Sequence, residues 1–129
     1  MASGLLLPLQ VVVALQWPEG YSVANNAISD LGVTTCGRFS EGLQQVRQVC
    51  SPWHAVFNGG MVVSGVLTAV GAILLHGWWR GRPGRVGTIL MAVAGVAVTI
   101  VGLAPWDVAP GLHDGAALVQ AVAQWLAMI

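Results

Sequence analysis

The sequence predicts an all-α protein, a polytopic transmembrane helix bundle of about four membrane segments, on three observations. Charge is scarce, two apolar runs are as long as the hydrocarbon core of a bilayer, and tryptophans stand where those runs end. Of 129 residues, 56% are hydrophobic and 8% charged. The cations are all arginines: Arg38, Arg47, Arg80, Arg82 and Arg85. A soluble domain wets its surface with roughly a quarter charged residues, so no aqueous surface of ordinary size can be built from this composition. Nucleic acid is excluded as a partner, since the formal net charge is zero and no basic stripe exists. Membrane lipids are the partner this composition fits.

Along the chain, residues 5–16 form a first short apolar segment, followed by a long loop over 17–53. A second segment covers 55–75, a short loop 76–85, a third segment 86–104, a loop 105–114 and a fourth segment 115–129. Crossing the hydrocarbon takes roughly 20 helical residues at about 1.5 Å each. The middle two segments satisfy that and the outer two fall short. The expectation is therefore either ends cut from a longer protein or half-helices that lie against other membrane subunits. A signal peptide does not fit the first segment, because no basic residue precedes it and no small-x-small site follows.

Orientation comes from the arginines. The 76–85 loop, "HGWWRGRPGR", holds Arg80, Arg82 and Arg85 and no acid, whereas the other loops carry more acids than bases. The positive-inside rule then places 76–85 in the cytoplasm of a cell membrane and 17–53 and 105–114 outside. Trp17, Trp53 and Trp106 fall at outer boundaries, each beside a proline, and Trp78 and Trp79 at the inner one, where an indole is half buried and its N–H can be satisfied. Trp125 breaks this pattern. Small residues (Gly60, Ser64, Gly65 and Gly71, then Gly87, Gly95 and Gly102) stud the two spans, as close helix contact in lipid requires.

Cys36 and Cys50 both lie in the long loop. Outside the cytoplasm such a pair is expected to form a disulfide. A thiol metal site with His54 is the rival, though the spacing is no zinc signature. Between the cysteines, Phe39, Leu43 and Val46 recur at helical spacing and predict a short amphipathic helix. Upstream, "NAISDLG" reads as a short surface helix. Asn25 or Asn26 is its expected N-cap, Ile28 and Leu31 its buried side, and Gly32 its stop, free to take positive φ.

This topology gathers polar residues on the outer rim: Asn26, Ser29, Asp30, His54, Asn58, Asp107, His113 and Asp114. Such groups must pair, face water or do chemistry, because burying them in lipid is costly. In the leading reading His54 and Asp30 hydrogen-bond each other or the loop backbone, pinning the outer cap to the helices. A second is a lipid headgroup site. A third is a metal site of hydrolase type made by His54, His113 and one of Asp30, Asp107 or Asp114. A nucleophile relay of Ser29, a histidine and an aspartate is the other catalytic arrangement. Neither HExxH nor GxSxG is present, and no motif specifies a cofactor.

"YSVANNAISDLG", a Cys-bounded loop, "CSPWHAVFNGG" and "GLAPWDVAPGLHDGAA" together resemble the bacterial domain-of-unknown-function 998 (DUF998) family of multi-pass membrane proteins. The resemblance covers nearly the whole chain and implies a fold of about six helices, of which this chain would supply the first two-thirds. It also implies that Ser29, Asp30, His54, Asn58 and His113 occupy the family's motif positions, and it implies no activity. The leading functional expectation is a lipid-interacting membrane protein or a small accessory subunit of a membrane assembly. The alternative is a membrane-embedded hydrolase acting on a lipid at the outer leaflet. A transporter has less support, because no ionisable residue sits mid-span in the second or third segment.

Overall fold

The structure is a computed structural model that describes residues 2–18, 20–40, 46–79 and 81–129. Its described residues form four α-helices: α1 (Ala2–Ala14), α2 (His54–Leu75), α3 (Arg82–Leu103) and α4 (Pro110–Ala127). A two-stranded hairpin of β1 (Gly37–Phe39) and β2 (Arg47–Val49) stands between α1 and α2. Helix α1 packs on α2, α2 on α3, and α3 on α4. Two helical stretches, His54–Trp78 and Arg82–Leu103, are long and apolar enough to cross a membrane. At about 1.5 Å per residue, α2 and α3 each reach about 33 Å.

Small side chains let α2 and α3 touch backbone to backbone. A Cβ on Gly95 would stand 2.5 Å from the Ala69 N and 2.7 Å from the Gly65 O, and one on Gly102 would stand 2.7 Å from the Asn58 O. These pairings run in opposite directions along the two helices, so α2 and α3 are antiparallel. Glycine costs a helix roughly 1 kcal/mol relative to alanine, and here the close approach offsets that cost. Large apolar residues such as Val63, Leu67, Ile73, Val96 and Leu118 face outward instead.

Helices α3 and α4 begin four to five residues before their apolar segments. Proline is accommodated in a helix's first turn, where its missing N–H would be unpaired anyway, so α3 starts at Arg82 before Pro83 and α4 starts at Pro110. His113 and Asp114 therefore lie inside α4 rather than ahead of it.

Residues 20–40 and 46–53 fold as a cap over one end of the helices. Its centre is a cluster of Val13, Trp17, Leu31, Val33, Val49 and Phe57. Burying each such side chain contributes about 1.5–3 kcal/mol. Ile28–Gly32 is a 3₁₀ turn whose N-cap is Ala27, not Asn25 or Asn26. Leu31 is buried as expected, but Ile28 remains 57% exposed because the inward position is taken by Asp30. Gly32 does not take positive φ, which among the described glycines occurs at Gly20 and Gly81. It is small for another reason: Asn58 and Phe57 lie where its Cβ would be.

Cys36 and Cys50 form the expected disulfide, 14 residues apart. It closes the open end of the hairpin next to the Gly37↔Val49 pair. The amphipathic helix expected between the cysteines is replaced at both ends. Phe39 belongs to β1 and Val46 leads into β2, because pairing across the disulfide satisfies the backbone of both arms. Leu43 lies outside the described residues.

Candidate functional site

The polar residues singled out from the sequence lie at the cap end, and most are engaged in holding it together. Asp30 is 1% exposed and forms a two-pronged ion pair with Arg47, whose Nε and Nη2 donate at 2.7 and 2.8 Å to the two carboxylate oxygens. The Ala27 N–H donates to the same carboxylate at 2.9 Å and the Asn26 amide at 3.3 Å. Asn26 also reaches the Gln48 carbonyl on β2. One acid thus joins the 3₁₀ turn to the hairpin. Charge-assisted fork geometry of this kind is strong and directional.

Asp107, in the loop between α3 and α4, reaches across to the cap. Its carboxylate accepts from the Thr34 and Thr35 N–H groups and from both threonine hydroxyls at 2.8–3.2 Å. Burial alone would push this carboxyl up, but the hydrogen bonds from Thr34 and Thr35 outweigh it and hold the pKa below the usual carboxylate range. Phe39 packs edge-on to Trp106 at 6.2 Å beside this contact. Burial pushes the Tyr21 phenol up, and the Asp30 carboxylate adds to that against an opposing pull from Arg47.

The two histidines at this end bind backbone. His54 Nδ1 lies 2.9 Å from the Ser51 carbonyl, and His113 Nδ1 lies 2.8 Å from the Ala104 carbonyl. A carbonyl oxygen only accepts, so Nδ1 carries the proton in each. Ala104 is the C-cap residue of α3, where helix carbonyls lack partners, and His113 satisfies one from α4. Asn58 donates to the Gly32 carbonyl at 2.8 Å, and the Ser51 hydroxyl to the Leu31 carbonyl at 2.7 Å. The first ties the cap to the start of α2, and the second joins two parts of the cap just ahead of it.

The geometry does not bring the candidate catalytic groups together. Among the described residues no three His, Cys, Asp or Glu side chains are grouped to hold a metal ion. Ser29 is half-buried and makes no side-chain hydrogen bond among the described residues, and Asp114 is exposed. Arg47, Thr34, Thr35 and Ser51 are the working residues that the sequence reading passed over. Arg47 had a signal: a buried acid in so charge-poor a chain needs a base, and Arg47 lies in the same long loop over 17–53. The threonines had none.

Beside the ion pair lies a cleft of about 790 Å³, with Trp17, Asn25, Asn26, Arg47 and Gln48 in its wall. A second hollow of about 440 Å³, apolar, runs between α3 and α4 past Val93, Ala97, Leu112 and Gly115.

The family described as "Protein of unknown function (DUF998)" matches this chain over residues 1–129. No curated protein and no solved structure matches it. The chain belongs to the DUF998 family.

Proposed function

We propose that this DUF998 member is a multi-pass integral membrane protein that interacts with lipid without catalysing a reaction, its disulfide-closed cap held rigidly outside the cytoplasm. The observation that carries this reading is the inverted distribution of side chains on the helices. Most of the buried residues are small (Ser64, Gly65, Ala69 and Ala72 on α2, Ala94, Gly95, Ala97 and Gly102 on α3), with Phe57 on α2 and Thr88 and Val101 on α3 the larger exceptions. Valines, leucines and isoleucines point outward on α2, α3 and α4. Water would penalise so continuous an apolar surface, and hydrocarbon would not. The engagement of Asp30, Asp107, His54, His113 and Asn58 in tying the cap down supports a scaffolding role for the polar rim. The lipid hydrolase alternative finds no supporting arrangement among the described residues.

The accessory-subunit form of this reading rests on the hollow between α3 and α4. Its small and apolar lining suits a further transmembrane helix, from another subunit or another part of a longer chain.

The test is topological. The protein should stay with membranes through alkaline carbonate extraction. In intact cells a membrane-impermeant maleimide should modify Ser40→Cys and spare Arg82→Cys until lysis. Labelling of Arg82→Cys alone would invert the orientation, and release by carbonate would end the membrane reading.

A further inference from the structure

The end of the bundle opposite the cap carries positive charge with nothing to balance it. Helix α2 ends in a 3₁₀ turn (His76–Trp78), the chain reverses through Gly81 at φ 116°, and α3 begins at Arg82. Trp78 is 83% exposed and Trp79 is 54% exposed. Arg82 and Arg85 are exposed as well. They stand three residues apart on one helix, which makes them neighbours on its surface. No Asp or Glu occurs in the sequence between Glu41 and Asp107, or after Asp114, or before Glu19. The start of α1, the end of α2, the start of α3 and the end of α4 therefore offer these guanidinium groups no acidic side chain. The last turn of α4 lies close by, with the Ala127 carbonyl 3.5 Å from where a Cβ on Gly87 would sit.

The turn is built rather than loose. The Thr88 hydroxyl donates to the Arg85 carbonyl at 2.9 Å, so it accepts from His76 Nδ1 at 2.7 Å. That chain ties the end of α2 to the first turn of α3. Trp79 lies over Gly84, where a Cβ would come within 3.0 Å of the Trp79 Cβ and Cε3. Two neighbouring cations on one helix face repel each other unless an anion lies between them. Exposed indoles next to apolar helix walls favour the depth of lipid headgroups.

We propose that Arg82 and Arg85, flanked by Trp78 and Trp79, form a binding surface for the phosphodiester of an anionic phospholipid. The guanidinium groups take the phosphate oxygens, and the indoles lie along the glycerol and upper acyl region. This rests on the membrane reading above and adds the lipid class and the residues that select it.

The experiment uses the full chain in mild detergent, titrated separately with phosphatidylglycerol and phosphatidylcholine and read by native mass spectrometry. Each arginine near an anionic headgroup is worth roughly fivefold in affinity, so the wild type should favour phosphatidylglycerol about thirtyfold. Arg82→Gln with Arg85→Gln should bring the ratio close to one. Arg82→Lys with Arg85→Lys should keep most of the preference, which guards against a folding defect in the glutamine variant. Arg38→Gln, at the cap end, should leave the ratio unchanged. Equal affinity of the wild type for the two lipids, in a protein that resists carbonate extraction, would overturn the proposal and leave the membrane reading standing. Equally tight binding of inorganic phosphate would overturn it too, by showing that no lipid is needed.

Discussion

Asp30→Asn is the sharpest perturbation of the cap, because it removes a charge and almost no volume. In the native protein the carboxylate takes two donors from Arg47, one from the Ala27 backbone and one from Asn26. An amide in its place presents an NH₂ to at least one of those donors and takes the Asp30 charge away from the Arg47 guanidinium. Arg47 is 7% exposed, so water cannot take over. Breaking a buried pair by neutralising one partner costs about 3–5 kcal/mol. For a domain of this size that corresponds to a drop in apparent Tm of about 10–20 °C. The assay is thermal melting in one detergent, followed by near-ultraviolet circular dichroism, with limited proteolysis of the cap in parallel. The loss should concentrate in the cap, leaving the helix signal in the far ultraviolet largely unchanged below the wild-type transition. Replacing both partners with apolar residues, Asp30→Leu with Arg47→Met, should recover much of the loss. A melting point for Asp30→Asn within about 3 °C of wild type would refute the premise that this pair organises the cap.

Two further outcomes follow from the same geometry. Gly95→Leu must push α2 and α3 apart, since even a Cβ there meets the Ala69 and Gly65 backbone. It should cost at least about 1–3 kcal/mol in a detergent melt, while Gly59→Ala, with open space at its Cβ, should be neutral or slightly stabilising. The folded pKa of Asp107 lies below its unfolded value of about 3.9. Its contribution is therefore complete above about pH 4 and is lost as pH falls through the folded value. Protease protection of the cap should fall with acid over that range in the wild type, and much less in Asp107→Asn.

Helix positions were legible because they depend on composition and run length, which a sequence displays directly. Residues 55–75 and 86–104 read as apolar spans, and the helices His54–Leu75 and Arg82–Leu103 match them to within a few residues. Small residues such as Gly65, Gly95 and Gly102 were read as helix contacts and meet backbone atoms across α2 and α3. The disulfide followed from counting two cysteines in one loop. The interior of the cap was less legible. A spacing of four and three residues among Phe39, Leu43 and Val46 fits a helix, yet a disulfide bringing Cys36 beside Cys50 makes strand pairing of the flanking arms the local solution. Gly32 was read as a flexible stop, while its smallness serves Asn58 and Phe57, 26 and 25 residues further on, which no local pattern reveals. Thr34 and Thr35 meet Asp107 across more than 70 residues, and nothing in their own neighbourhood marks them.

Why this chain should devote its polar residues to a cap follows from what its helices lack. Contacts made by glycine and alanine are close but smooth, and they resist separation better than they resist sliding or tilting. Directional bonds at one end supply what such surfaces cannot. Asn58 fixes the start of α2 to Gly32, Asp107 fixes the α3–α4 loop to Thr34 and Thr35, and His113 fixes the start of α4 to the end of α3. Asp30 and Arg47 then make the cap itself stiff enough for those attachments to matter. Of the five residues through which the chain resembles its family, Asp30, His54, Asn58 and His113 each hold a backbone group or the Arg47 guanidinium in this way. A nucleophile or metal ligand must keep its reactive atom available. The carboxylate of Asp30 and the amide of Asn58 are committed to the frame, so in this chain those two positions build the fold's end.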